Sequence, residues 1–267
     1  MIEITIGSAS HIGMQKTENQ DYHAYYVPDN AKLKTKGILL ALADGMGGMG
    51  GGSLASKTAV DTLMEAYYND DTSGSVTESL TKAFLKANAE VIAKGTEHIE
   101  TARMGATLVA VVIKKNNMYY AHVGDSRGYL IYGNDITQFT EDHSYVNSLV
   151  KAGVITAEQA QTHPERHVIT RAIGLSSELT VDTSQIDQII KKNQYILLCC
   201  DGLHGVVSDE VIVSIVNECR EPDVICQKLV DKANENGGPD NITVLIARID
   251  KLDLISSLTN RLKNLVG

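Results

Sequence analysis

The stretch Ile38–Gly45, ILLALADG, is an unbroken apolar run that stops at an aspartate, and the pattern recurs. MYYAHVGD ends at Asp125, YILLCCDG carries Asp201, and a further aspartate, Asp240, stands just before the run NITVLIARI. A carboxylate at the lip of a buried strand has its backbone fixed by the sheet, while its oxygens face whatever lies at the strand ends. Gathered in one place, such groups repel and shift one another's pKa values, so the arrangement holds only with cations between them. Oxygen donors select a hard ion, magnesium or manganese. One Asp-Gly pair alone is an ordinary turn signal. Its repetition beside strands long enough to form a core puts metal ligation ahead of that reading.

The surrounding composition is that of a water-exposed globule. The chain has 267 residues, 43% hydrophobic and 21% charged, with four scattered prolines and no Pro-rich or Ser-rich linker. One domain over 1–267 is the expectation. A net charge of −9 and the lack of a Lys/Arg stripe argue against nucleic acid as a partner. The apolar runs are of strand length, well short of the roughly 20 residues of a membrane helix. The opening MIEITIGSAS lacks the pattern of a secretory signal, so a cytoplasmic protein is expected. The four cysteines form no CxxC and read as buried thiols of a reducing compartment.

Hydrophobic period predicts strands near Glu3–Gly7, Gly37–Ala43, Ala106–Lys114, Met118–Val123, Arg127–Tyr132, Tyr195–Cys200 and Ile242–Ile249. Leu54–Tyr67 and Val76–Ala93 carry helical period, with Ala55, Ala59, Leu63 and Ala66 on one face of the first and Leu80, Phe84, Ala87 and Val91 on one face of the second. The short polar links KKNN and GDSR between Ala106 and Tyr132 suggest an antiparallel meander rather than βαβ crossovers. The polar segment 140–174, with its histidines, reads as helix and loop at the edge of the site. Leu252, Ile255, Leu258, Leu262 and Leu265 recur at helical spacing, predicting a helix over 252–265 that docks on the body.

ADGMGGMGGG is the most specific string. Glycine after Asp44 lets an ion collect both the carboxylate and the Gly45 carbonyl, and the loop lacks the Lys-Ser/Thr of a nucleotide cradle. KTENQD offers Lys16, Glu18, Asn19 and Asp21, and GGPDNIT pairs Asp240 with Asn241, which can orient it. Taken in order, ENQD, ADGMGG, GATLVAVVI, AHVGDSRGYL, TEDHS, HPERHVITRAIG, LLCCDGLHGVVSD and GGPDNIT resemble the bacterial branch of the metal-dependent protein phosphatases, the protein phosphatase 2C family, over roughly Ile4 to Ile249.

That resemblance implies an α+β fold, a four-layer α/β/β/α sandwich of two antiparallel sheets flanked by helices. It implies hydrolysis of phosphoserine and phosphothreonine in proteins, with phosphorylated proteins and a cognate serine/threonine kinase as partners. Asp44, the Gly45 carbonyl, Asp201 and Asp240 would hold two Mn²⁺ or Mg²⁺ ions bridged by the attacking hydroxide. Asp21 would act beside them, Asp125 with Asp201 would bind a third ion, and 140–174 would be a flap over the site. No Ser or Cys nucleophile is needed, because paired ions both activate water and neutralise the transition state.

Three positions depart from the family pattern. Lys16 stands where an arginine usually forks the substrate phosphate, keeping the charge without the bidentate geometry. Met46 replaces the histidine of eukaryotic relatives, leaving the general acid unassigned, with His143 and His163 as candidates. His167 replaces the asparagine usual before VITRA, and Arg171 in that string reads as a structural ion-pair partner. The competing reading is a catalytically weak relative that binds phosphoproteins as an interaction module.

Overall fold

The computed structural model describes residues 2–70, 74–97, 103–188 and 190–253. The elements run β1 (Glu3–His11), β2 (Asp21–Tyr26), α1 (Asn30–Thr35), β3 (Ile38–Met46), α2 (Gly51–Asn69), α3 (Val76–Glu97), β4 (Gly105–Ala106), β5 (Leu108–Lys114), β6 (Asn117–Val123), β7 (Arg127–Tyr132), β8 (Asp135–Gln138), α4 (Tyr145–Lys151), α5 (Ala157–Gln161), β9 (Asp182–Ile186), β10 (Tyr195–Cys199), α6 (Asp201–His204), α7 (Asp209–Glu218), α8 (Pro222–Glu235) and β11 (Ile242–Lys251). One sheet has the order β1-β11-β10-β7-β8 and the other β2-β3-β5-β6-β9, with β4 paired to the end of β3. Every pairing is antiparallel.

The alternation along β3 explains the stacking. Leu40 and Leu42 point inward, where they meet Ile196, Leu198, Leu245 and Ala247 of the opposite sheet. Leu39, Ala41 and Ala43 point outward onto Ala55, Ala59 and Leu63 of α2 and Phe84 and Ala87 of α3. On the far side, Leu197, Val244 and Ile246 receive Ile212 and Val216 of α7 and Ile225 and Leu229 of α8. A strand buried on both faces reads as a continuous apolar run, which is why ILLALA shows no alternation in sequence. The four-layer sandwich is as the resemblance implied.

Several local expectations are corrected. GDSR does not close a meander, because β6 and β7 lie in different sheets. The turn is drawn down into the sandwich end by a 2.6 Å contact between the Ser126 and Thr107 hydroxyls, and Gly124 at φ +109° redirects the chain. β2, β8 and β9 escaped the periodicity reading. DITQ and DTSQI carry too few apolar residues to show a period, and the tyrosines of DYHAYY follow neither strict alternation nor a continuous apolar run. Asp44 does not end its strand, which continues to Met46, and Cys200 lies outside β10 as the N-cap of α6. The expected C-terminal helix falls, from 254 on, outside the described residues, and Leu252 and Asp253 are not helical.

The segment 140–174 forms α4, α5 and connecting turns. Its two ends are joined to each other at the root, where Tyr145 N donates to Val168 O at 2.8 Å and Thr170 N to His143 O at 2.7 Å, and His143 N donates to Gly124 O of the body at 2.9 Å. Arg171 pairs with Asp182 at 2.7 Å, the structural role anticipated for it.

Candidate metal centre

Asp21 and Asp44 face each other as register partners on β2 and β3. Like charges directly opposite on one sheet face are destabilising unless something stands between them. Asp44 shares its parity with Leu40 and Leu42, so its side chain belongs to the inter-sheet face, at the end where α6 and β11 begin. Its backbone is held by Asp44 N to Thr107 Oγ1 at 3.0 Å and Thr107 N to Asp44 O at 2.8 Å. Gly45 continues the strand against Ala106, and a Cβ there would lie 2.1 Å from the Gly52 carbonyl oxygen and 2.5 Å from that of Gln20. Only glycine allows the glycine loop and the ENQD segment to close so tightly around Asp44.

The opposite sheet supplies Asp201 as the first residue of α6 and Asp240 just before β11. Gly202 brings these together, since a Cβ on it would sit 1.9 Å from the Asn241 carbonyl oxygen. Asn241 Oδ1 accepts from Gln20 N at 2.8 Å, and its amide donates to Ile12 O at 2.9 Å and Glu18 O at 2.8 Å. Its side chain therefore staples the β1–β2 loop, and it is its backbone N–H, at 2.8 Å, that holds Asp240 Oδ1. Lys16 reaches the same place, with Nζ 2.6 Å from Asp240 Oδ1. Asp125 lies buried in the turn after β6, its carbonyl 3.1 Å from Nε2 of His204.

Burial and mutual repulsion mark this cluster. Burial pushes the Asp21 carboxyl up to about 7, with the charges of Asp201 and Asp240 adding to it. Asp44 is raised well above the carboxylate range by burial and then by Asp21, Asp201 and Asp125. Asp125 is also pushed up to about 7, by burial and then by Asp201. Asp201 goes the other way: burial raises it, but His167, His204 and a hydrogen bond shared with Asp44 outweigh that and hold it low. For Lys16, burial is outweighed by the bond to Asp240 and by the charges of Asp44 and Asp201, so its ammonium is held more firmly.

Both Asp21 oxygens and Asp201 Oδ1 are buried without a hydrogen-bond partner. The nearby Thr243 hydroxyl is shared with Ser10 at 2.7 Å, and the Cys200 thiol donates to Asn241 O at 3.3 Å. Unpartnered buried carboxylate oxygens are costly and call for a cation. An all-oxygen donor set fits hard divalent ions. Among the described residues, His122, His143 and Asp182 bring one donor atom each to within 4.8 Å of one another, and no three of the aspartates do. That histidine group is a clamp. His143 Nδ1 accepts from Gly124 N at 3.1 Å, so Nε2 carries the proton donated to Asp182 at 3.1 Å, and Arg171 occupies the other Asp182 oxygen. A cation there would displace the proton and face a guanidinium. His143 thus anchors the flap, while His163 is half-buried and its ring lies tilted 6.3 Å from that of Tyr145.

The family model described as Protein phosphatase 2C matches residues 7–149 and 180–242. The chain belongs to this family. It is 37% identical over 250 residues to the protein phosphatase PhpP of Streptococcus pneumoniae, covering 93% of this chain and 98% of that one. Among solved structures, the Mycobacterium tuberculosis serine/threonine phosphatase PstP/Ppp superposes with a TM-score of 0.81 at 33% identity, covering 94% of this chain and all of that one. The catalytic domain of PstP in complex with two manganese ions gives a TM-score of 0.78 at 32% identity, with 94% of this chain and 100% of that one covered.

In this family member the sequence reading missed two supports. Arg127 grips Asp142 through contacts of 2.7 to 3.1 Å, and His204, whose imidazole burial pulls down to about 4, braces the Asp125 turn. The Arg of GDSR and the Asp of TEDHS were visible in sequence, but nothing there showed that they pair. Cys199, Cys200 and Cys226 are buried, the last pushed by burial up to about 12, so no thiolate is at hand.

Proposed function

We propose that this chain is a bacterial, metal-dependent protein serine/threonine phosphatase acting on phosphorylated proteins. Asp44, the Gly45 carbonyl, Asp201 and Asp240 would hold two divalent ions, Mn²⁺ or Mg²⁺, and Asp125 with Asp201 a third. When bound, such ions supply hydroxide at neutral pH and neutralise charge on the phosphoryl oxygens. The chain's own groups do the rest. Lys16 presents an ammonium at the rim of the cluster, where it can take a phosphate oxygen. Asp21 would balance the charge of such ions, Asn241 fixes the loop that carries Lys16, and Thr107 fixes the backbone of Asp44. The buried neutral thiols leave hydrolysis to water.

The observation that carries this reading is the convergence of unpartnered carboxylate oxygens from both sheets at one end of the sandwich. The phosphatase names of relatives covering nearly the whole chain support the substrate class. A cytoplasmic, single-domain enzyme opposing a cognate serine/threonine kinase in signalling fits the composition, and no helix among the described residues is long and apolar enough to cross a membrane. The test is turnover of a phosphothreonine peptide with manganese, with and without chelator, in the wild type and Asp201→Asn. Loss of a supporting group commonly costs about 10- to 100-fold, so loss of a ligand should cost at least about 100-fold. Equal inactivity of both proteins under every metal would favour the interaction-module reading instead.

A further inference from the structure

An open trough runs along the sandwich at the end of β7 opposite Asp125. It holds about 1180 Å³ between α7 and β8, the terminal strand of its sheet, with Gln188, Lys191 and Gln194 at one side. Leu130, Tyr132, Ile136 and Val213 form an apolar floor. Carboxylates stand on two walls, Asp135 on β8 and Asp209 and Glu210 on α7, and none of these three has an ion-pair partner among the described residues. Glu218, further along α7, is already met by Lys228 at 3.3 Å. The one lysine in the lining, Lys191, lies over the Tyr132 ring at 4.4 Å.

The described chain leaves the body beside this trough. Near the end of β11, Ile249 N donates to the carbonyl of Gln194, a lining residue, at 2.9 Å, and Ile249 O accepts from Asn193 N at 2.7 Å. Leu252 packs on the cluster that contains Leu130 and Ile190, and Asp253 exchanges two hydrogen bonds of 2.9 Å with the Asn116 side chain at the β5–β6 turn. β8 stands three strands from β11, roughly 14 Å at the usual spacing. Residues 254–267 can span roughly 21 Å as a helix and about 46 Å when extended, so the trough is within their reach either way.

Their sequence, LISSLTNRLKNLVG, carries Arg261 and Lys263 and no acidic side chain. Ile255, Leu258, Leu262 and Leu265 fall on one stripe at helical spacing, and Arg261 and Lys263, one residue to either side of Leu262, fall on its two flanks. An apolar stripe flanked by cations complements an apolar floor flanked by carboxylates. We infer that residues 254–267 occupy the trough of their own chain, with the leucines on its floor and the two cations against Asp135, Asp209 and Glu210. The apolar contact supplies most of the affinity, and the exposed ion pairs fix the orientation. Docking there covers the free edge of β8, which would otherwise offer its main chain to another molecule. A segment tethered so close outcompetes the same segment of a second copy.

The experiment joins two measurements on the full chain. Zero-length carbodiimide crosslinking of mixed ¹⁵N-labelled and unlabelled protein is read by mass spectrometry, and amide hydrogen exchange is compared between the wild type and Leu258→Asp/Leu262→Asp. Lys263 should be joined to Asp135, Asp209 or Glu210 within one copy. Exchange across β8 and residues 213–218 should be at least about tenfold faster in the variant, the factor expected for losing one buried leucine, while β3 and β5 keep their wild-type rates. If the variant loosens β3 and β5 as well, the site of the Lys263 crosslink in the wild type decides. Lys263 joined to carboxylates elsewhere, or β8 exchange alike in both proteins, overturns the docking. Crosslinks found only between labelled and unlabelled copies overturn the contact within one chain and give the trough to a second copy.

Discussion

Burial of Asp21, which stands opposite Asp44 across β2 and β3, sets the pH behaviour of the metal-free protein. An unfolded aspartate titrates near 3.9, while Asp21 in the fold is pushed up to about 7. Below about pH 4 both states are protonated and burial costs nothing. As pH rises towards 7 the unfolded chain ionises first, so stability drains away and the full penalty applies above the folded value. Three pKa units correspond to about 4 kcal/mol as an upper bound. In chelator, Asp21→Asn should be more stable than the wild type at pH 8 by up to that amount and equal to it near pH 4. Urea melts at the two pH values measure this, and no pH dependence of the difference would contradict it. Lys16 belongs to the same scale. Its ammonium already sits on Asp240, and an arginine there would add a planar fork for phosphate. Lys16→Arg should lower KM for a phosphopeptide several-fold with kcat little changed; an unchanged or higher KM would remove Lys16 from the phosphate site.

Elements position these residues through close backbone approaches. Gly202 lets α6 lie against the start of β11, and Gly202→Ala would place a Cβ 1.9 Å from the Asn241 carbonyl oxygen. Such overpacking costs about 1 to 3 kcal/mol. Because it would separate Asp201 from Asp240, manganese affinity should fall along with the urea midpoint. Calorimetric binding unchanged from wild type would show that this contact does not set the site. How far elements were legible follows from where they sit. α2 and α3 declared themselves because each turns an apolar face inward, α2 onto β3 and α3 onto α2, β6 and β9, and the other face to water. β2, β8 and β9 did not, because short strands of mixed polar sequence at or near sheet edges need little apolar surface. The turn GDSR looked like a hairpin, since nothing local distinguishes a link within a sheet from one that crosses between sheets.

At the scale of the molecule, the sandwich serves to bring distant chain segments to one end of two sheets. β2 and β3 deliver Asp21 and Asp44, the opposite sheet's β10 and β11 flank Asp201 and Asp240, and the crossing turn delivers Asp125. The strand-lip aspartates could be picked out in sequence because each interrupts an apolar run. Their convergence could not, since it depends on the pairing order of strands, and it came instead from the family resemblance. The supports that hold them, Thr107, Asn241 and the Arg127–Asp142 pair, are polar residues whose partners lie far along the chain. The most direct test is anomalous diffraction from manganese-loaded crystals. Two peaks about 3.5 to 4 Å apart, bounded by Asp44, the Gly45 carbonyl, Asp201 and Asp240, are the predicted result. Manganese seated instead among His122, His143 and Asp182, or none at the aspartates under saturating metal, would contradict it.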